Sequence, residues 1–208
     1  MGNIVDDIRA NEDTFADRPF NEVDSLALAQ LSYARMPVNV PRLDAEAMDV
    51  DLAMVGVRDL LRAECYDDMF GKVWSPSMNV DLLRAMCESP RWRDLRVGGY
   101  VDEFDPETTK QFSACVFDVG DGSSYVAFRG TDSTIVGWKE DFAMAFRRPV
   151  AAQESAARYL ADIAGRRDGP LMVGGHSKGG NLAVYAAANA PAAVQERLIA
   201  VCCHEDRK

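Results

Sequence analysis

The 208 residues carry 33 acidic against 23 basic side chains, a net charge of −10, which repels phosphate backbones and anionic lipid surfaces, so no nucleic-acid partner is expected. With 48% apolar and 27% charged residues the chain has the make-up of an ordinary globular protein, which excludes disordered, fibrous and collagen-like classes. The length fits one domain, or one domain with an appendage.

Residues 1–19 are acidic and weakly patterned, and they read as a weakly ordered lead-in. The opening Met1-Gly-Asn-Ile-Val-Asp-Asp carries acids where a secretory leader carries bases, and no apolar run approaches the roughly 20 residues of a bilayer span. A cytoplasmic chain without an integral membrane segment is therefore expected. From Phe20 onward, Leu26, Leu28, Leu31 and Tyr33 predict an amphipathic helix capped by Asn21 or Asp24. A second helix is predicted over 50–65, with Leu52, Val55, Leu60 and Leu61 toward one face, and a third over 79–87.

The period then changes. Residues 95–104, 111–118 and 124–129 predict three strands, separated by Asp105-Pro106 and by Gly120-Asp-Gly, the second short enough for a hairpin. Helical spacing returns over 138–146 and over 150–164, where Ala157, Leu160 and Ile163 mark the buried side. A short strand at 171–173, an alanine-rich helix over 179–190 and a strand beginning at Leu198 follow. Helix alternating with strand implies parallel βαβ units entered through an antiparallel segment: an α/β fold, its sheet partly parallel and flanked by helices, behind a helical N-terminal region. Cys65, Cys87, Cys115, Cys202 and Cys203 are odd in number and lack metal-ligand spacing, so they read as reduced, partly buried small hydrophobes.

Gly175, Ser177 and Gly179 match G-x-S-x-G. The pattern alone arises by chance in roughly one chain in fifteen of this length, so its context decides. A nucleophile elbow needs a strand ending in a sharp turn, a serine in a strained backbone conformation and a helix that starts at once, with tiny residues two before and two after the serine. All of these are readable here, and small residues continue through Ala183, Ala186, Ala187 and Ala188. Two other readings are a glycine-rich turn that serves packing alone and a phosphate cradle. The order Ser177-Lys178-Gly179 is wrong for a phosphate loop, and His176 stands where a dinucleotide fingerprint needs glycine. The Lys178 N–H, at the positive end of the helix dipole, would be one oxyanion donor, and the strand end at Gly130-Thr131 offers a second.

The runs Val126-Ala-Phe-Arg-Gly-Thr, Gly137-Trp-Lys-Glu-Asp-Phe and Gly175-His-Ser-Lys-Gly-Gly resemble, in that order and at similar spacing, the class 3 (fungal-type) lipase family of α/β-hydrolases. The segment from Phe20 through Tyr33 is similar to an uncharacterised bacterial branch of it, so the resemblance spans about residues 20–201. It implies Ser177 as nucleophile, Thr131 and Lys178 as backbone oxyanion donors, and Trp138 and Asp141 beside the active-site mouth. A core aromatic and a helix-start charge are equally available readings of the last two. The implied substrate is a small-molecule ester or lipid, cleaved without metal or cofactor.

The family takes its base from a late histidine and its acid from a preceding Asp or Glu. Here His176 directly precedes the nucleophile and reads as structural, while only Glu205-Asp-Arg-Lys follows His204. The expectation is an incomplete α/β-hydrolase domain over 20–208, its C-terminal part missing, with impaired ester hydrolysis and self-association through an exposed sheet edge. A non-catalytic binding or accessory domain derived from a hydrolase is the alternative.

Overall fold

The computed structural model describes residues 3–44, 51–105, 107, 110–131 and 150–205. Among them six strands form one sheet in sequence order: β1 (Met54–Gly56), β2 (Arg96–Asp105), β3 (Lys110–Asp118), β4 (Ser124–Phe128), β5 (Leu171–His176) and β6 (Leu198–His204). β1 to β4 are antiparallel neighbours, and β4, β5 and β6 run parallel. The fold is thus mixed α/β, with more antiparallel than parallel pairings.

Strand alternation divides the core into two. Phe112, Ala114 and Val116 of β3, Val126 and Phe128 of β4, and Leu171 and Val173 of β5 face α5 (Ala151–Arg166) and α6 (Lys178–Asn189). The intervening residues Cys115, Phe117, Tyr125, Ala127 and Met172 face α1 (Ile4–Ala10), α2 (Glu22–Leu31) and α4 (Pro76–Glu88). Helices on both faces explain why the central strands are apolar at nearly every position, whereas a half-exposed sheet would alternate. A short α7 (Ala192–Gln195) leads into β6.

Several expectations are corrected. The lead-in forms α1, because the Asn3 carboxamide accepts from the Val5 and Asp6 N–H groups while Val5 and Ile8 enter the core. No α-helix occupies the described part of 50–65. β1 pairs there with β2 and is followed by 3₁₀ turns at Val57–Leu60 and Ala63–Cys65 and by α3 (Tyr66–Phe70). The Asp59 carboxylate accepts the Gly56 N–H and closes the first turn, and the apolar spacing that mimics a helix places Val57 and Leu60 in the core instead. Cys203 is exposed, against the expected burial. The helix expected over 138–146 lies outside the described residues.

β6 stands at the edge of the described sheet with Ile199 63% exposed, which is the surface to which the expected self-association refers. No described helix is long and apolar enough to cross a membrane.

Candidate functional site

β5 ends at His176 and α6 begins at Lys178, so Ser177 alone makes the turn, at φ 55° and ψ −123°. Such a backbone costs a non-glycine residue on the order of 1–3 kcal/mol and persists only where its surroundings over-determine it. The surroundings here are specific. A Cβ on Gly175 would lie 2.4 Å from the Gly179 carbonyl carbon and 2.5 Å from the Phe128 oxygen, and one on Gly179 would lie 2.1 Å from that same oxygen. Strand, turn and helix therefore meet backbone to backbone against the end of β4. The Ser177 N–H donates to the His204 carbonyl at 2.8 Å, tying the turn to the end of β6, and the Ser177 side chain is exposed to solvent.

The parallel register sets Phe128 beside Gly175, so the loop after β4 abuts the elbow. A Cβ on Gly130 would come within 2.6 Å of the His176 carbonyl oxygen, and Thr131, half-buried, is the next residue. Lys178 opens α6 with a buried side chain, 4% exposed, whose ammonium donates to the Gln111 carbonyl at 2.7 Å. Its backbone N–H stands at the N-terminal end of the helix, where the dipole favours negative charge. Trp138 and Asp141 lie outside the described residues.

Both imidazoles are engaged on the α2 side of the sheet. His176 Nδ1 lies 3.0 Å from the Tyr33 hydroxyl, and His204 Nε2 lies 2.8 Å from the Ser25 hydroxyl. Ser25 is also 2.8 Å from the Tyr125 hydroxyl, which donates to the Ser25 carbonyl; burial pushes the Tyr125 phenol pKa up and keeps it protonated. This Ser25–Tyr125–His204 group was not legible from the sequence, since its members stand 100 and 179 positions apart from Ser25. Among the described residues, no side chain forms a hydrogen bond with the Ser177 hydroxyl.

Burial lowers the His204 pKa below the ordinary imidazole value, nearby His176 lowers it further, and Glu22 opposes both. The unfolded chain, whose imidazole titrates near about 6.5, then binds more protons than the folded one below that pH. The stability owed to neutral His204 is complete above about pH 6.5 and is lost as pH falls from there through the folded pKa. Urea midpoints measured from pH 7.5 to 5 are expected to fall, and to fall less steeply in His204→Gln. An identical slope in the variant would remove His204 as the cause.

Neither a curated protein nor a solved structure matches the chain significantly. Residues 86–206, from the end of α4 through the elbow to the end of β6, match the family model described as Mbeg1-like; more than half of the chain is covered, and the chain belongs to the Mbeg1-like family.

Proposed function

We propose that the domain is a lipase/esterase-like serine hydrolase of the α/β-hydrolase type, similar to class 3 lipases, acting by acyl transfer through Ser177 on a carboxylic ester. One observation carries the reading: an exposed serine held at φ 55°, ψ −123° between two glycines that backbone contact dictates. A turn built for packing alone has no reason to hold a non-glycine residue in that conformation.

In the proposed reaction Ser177 Oγ bonds to the ester carbonyl carbon and gives up its proton to a base. The carbonyl oxygen takes the negative charge against the Lys178 and Thr131 backbone N–H groups. The intermediate then collapses as the alcohol leaves with a proton, and water releases the acid from the acyl-enzyme. Among the described residues His176 meets Tyr33 and His204 meets Ser25, and neither imidazole forms a hydrogen bond with the Ser177 hydroxyl, so neither supplies that base in the arrangement described. A weakly activated nucleophile follows.

A fluorophosphonate probe is therefore expected to label the 208-residue chain slowly, at Ser177 by peptide mass spectrometry, faster with added imidazole, and not at all in Ser177→Ala. Turnover of short p-nitrophenyl esters should scarcely exceed that of Ser177→Ala. No adduct at Ser177 after prolonged exposure would overturn the hydrolase reading. Rapid turnover lost in Ser177→Ala would instead show that a base reaches the serine.

The engagement of His204 with Ser25, which itself meets the Tyr125 hydroxyl, also favours a second reading, a non-catalytic binding domain that keeps the elbow as scaffold. Under it the Ser177 adduct does not form.

A further inference from the structure

A cleft of about 420 Å³ opens between the N-terminal helices and the elbow. Its walls include Ile4 of α1, Leu26 of α2, and Trp74 and Met78 around the start of α4; His176 and Glu205 also line it. Ser177 is not itself among the described lining residues, but those last two connect the cleft to it. His176 precedes it in the chain, and Glu205 follows the residue whose carbonyl holds the Ser177 N–H.

The outer wall is built rather than incidental. Ser75 sits at φ 53° just before Pro76, a second non-glycine residue in the left-handed region. Asn79, 1% exposed, spends its amide N–H groups on the carbonyls of Trp74 at 2.9 Å and Ser75 at 3.1 Å, and accepts from the Gln30 amide at 2.9 Å. A buried polar side chain is thus dedicated to tying the Trp74 turn to α2. What that turn displays is apolar: Trp74 remains 61% exposed and Met78 is exposed beside it. Large apolar side chains held open around a concavity mark a ligand site.

Charge selects the ligand. No Lys or Arg is among the described residues that line the cleft, Glu205 is acidic, and the chain carries −10 overall. A phosphate or free carboxylate would meet a repulsive field there, and an uncharged aliphatic chain would not.

We propose that this cleft holds the aliphatic acyl chain of an uncharged, medium-chain ester whose carbonyl is presented to Ser177. The proposal rests on the hydrolase reading for its link to the serine, but the binding it asserts can be measured without turnover. The probes are 1-hexanol, 1-octanol, 1-decanol and decanoate, none of which is an ester. The readout is the Met78 methyl resonance in protein carrying ¹³C-methyl methionine, assigned through Met78→Leu.

The expected result is a saturable Met78 shift whose affinity rises about threefold to fourfold for each added methylene, as burial of a CH₂ predicts. Decanoate should bind more weakly than decanol at neutral pH. Trp74→Asp, read at the Met78 methyl, and Met78→Asp, read by tryptophan fluorescence against the parent, are both at exposed positions and so compatible with an unchanged melt, and each should weaken decanol binding at least tenfold. Affinity indifferent to chain length, or decanol binding unchanged in both variants, would overturn the proposal. Decanol binding without a Ser177 fluorophosphonate adduct would leave the cleft standing and sink the hydrolase reading. An adduct without any Met78 shift would do the reverse.

Discussion

Gly179→Ala is expected to abolish the native fold, or to lose on the order of 4 kcal/mol or more of unfolding free energy, an effect in the extreme tail for a single added methyl. The new Cβ would stand 2.1 Å from the Phe128 oxygen and 3.0 Å from its carbonyl carbon. Neither atom can give way. Phe128 pairs with Ala114 on one side and Gly175 on the other, in the middle of the six-stranded sheet, and its ring packs with Phe112 and Tyr159 beneath. The helix cannot retreat either, because a Cβ on Gly180 would already be 2.5 Å from Cys203 Sγ on β6. Gly165→Ala, near the end of α5 where nothing lies within 4 Å of the new atom, is the control and should stabilise by up to about 1 kcal/mol through helix propensity. Urea denaturation of the two variants against the parent checks both signs. A Gly179→Ala protein within about 1 kcal/mol of the parent would mean that close approach does not dictate the elbow glycines.

That same contact explains how much of the site was legible in sequence. Gly175, Ser177 and Gly179 are read together because strand end, turn and helix start are consecutive, so their demands on the backbone fall within a few residues. The apolar runs of β3, β4 and β5 and the spacing of α2 and α5 were legible for a similar reason, as each element carries its own periodicity. The 50–65 region shows the opposite case. Its leucines and valines fit helical spacing, but Met54 and Val55 pair with Gly98 and Val97, more than 40 residues on, and that pairing wins. The acidic lead-in hid α1, whose two core side chains, Val5 and Ile8, are too few to set a period. The outer wall of the cleft was illegible because it depends on a left-handed Ser75 and on Asn79 reaching back to carbonyls and across to Gln30.

The contact that holds the lead-in in place yields the other large expected effect. Arg91→Met should cost about 3–5 kcal/mol, the range for removing one partner of a buried ion pair. Arg91 and Asp24 are both buried, and Arg91 Nε donates to Asp24 Oδ1 at 2.9 Å. The guanidinium also donates to the carbonyls of Asp13, Thr14, Arg18 and Pro19, and it stacks 4.0 Å from the centroid of the Phe15 ring. One fork-shaped cation thus satisfies a turn of backbone that has no ladder of its own, which a lysine could not reproduce. Asp24 meanwhile accepts the Asn21 N–H and caps α2, so methionine at 91 leaves a carboxylate and four carbonyls without their cation. Asp24→Asn keeps the cap geometry but leaves the charge of Arg91 unbalanced, and should cost less than Arg91→Met. The damage should be greatest around residues 4–20, with amide hydrogen exchange there accelerating beyond that of β3 and β4. Because Ile4 and Leu26 line the cleft, decanol affinity should fall along with this local order even though neither residue has been changed. A loss below about 1 kcal/mol, with exchange over residues 4–20 unaltered, would show that the α1 contacts of Val5 and Ile8 hold the segment without Arg91.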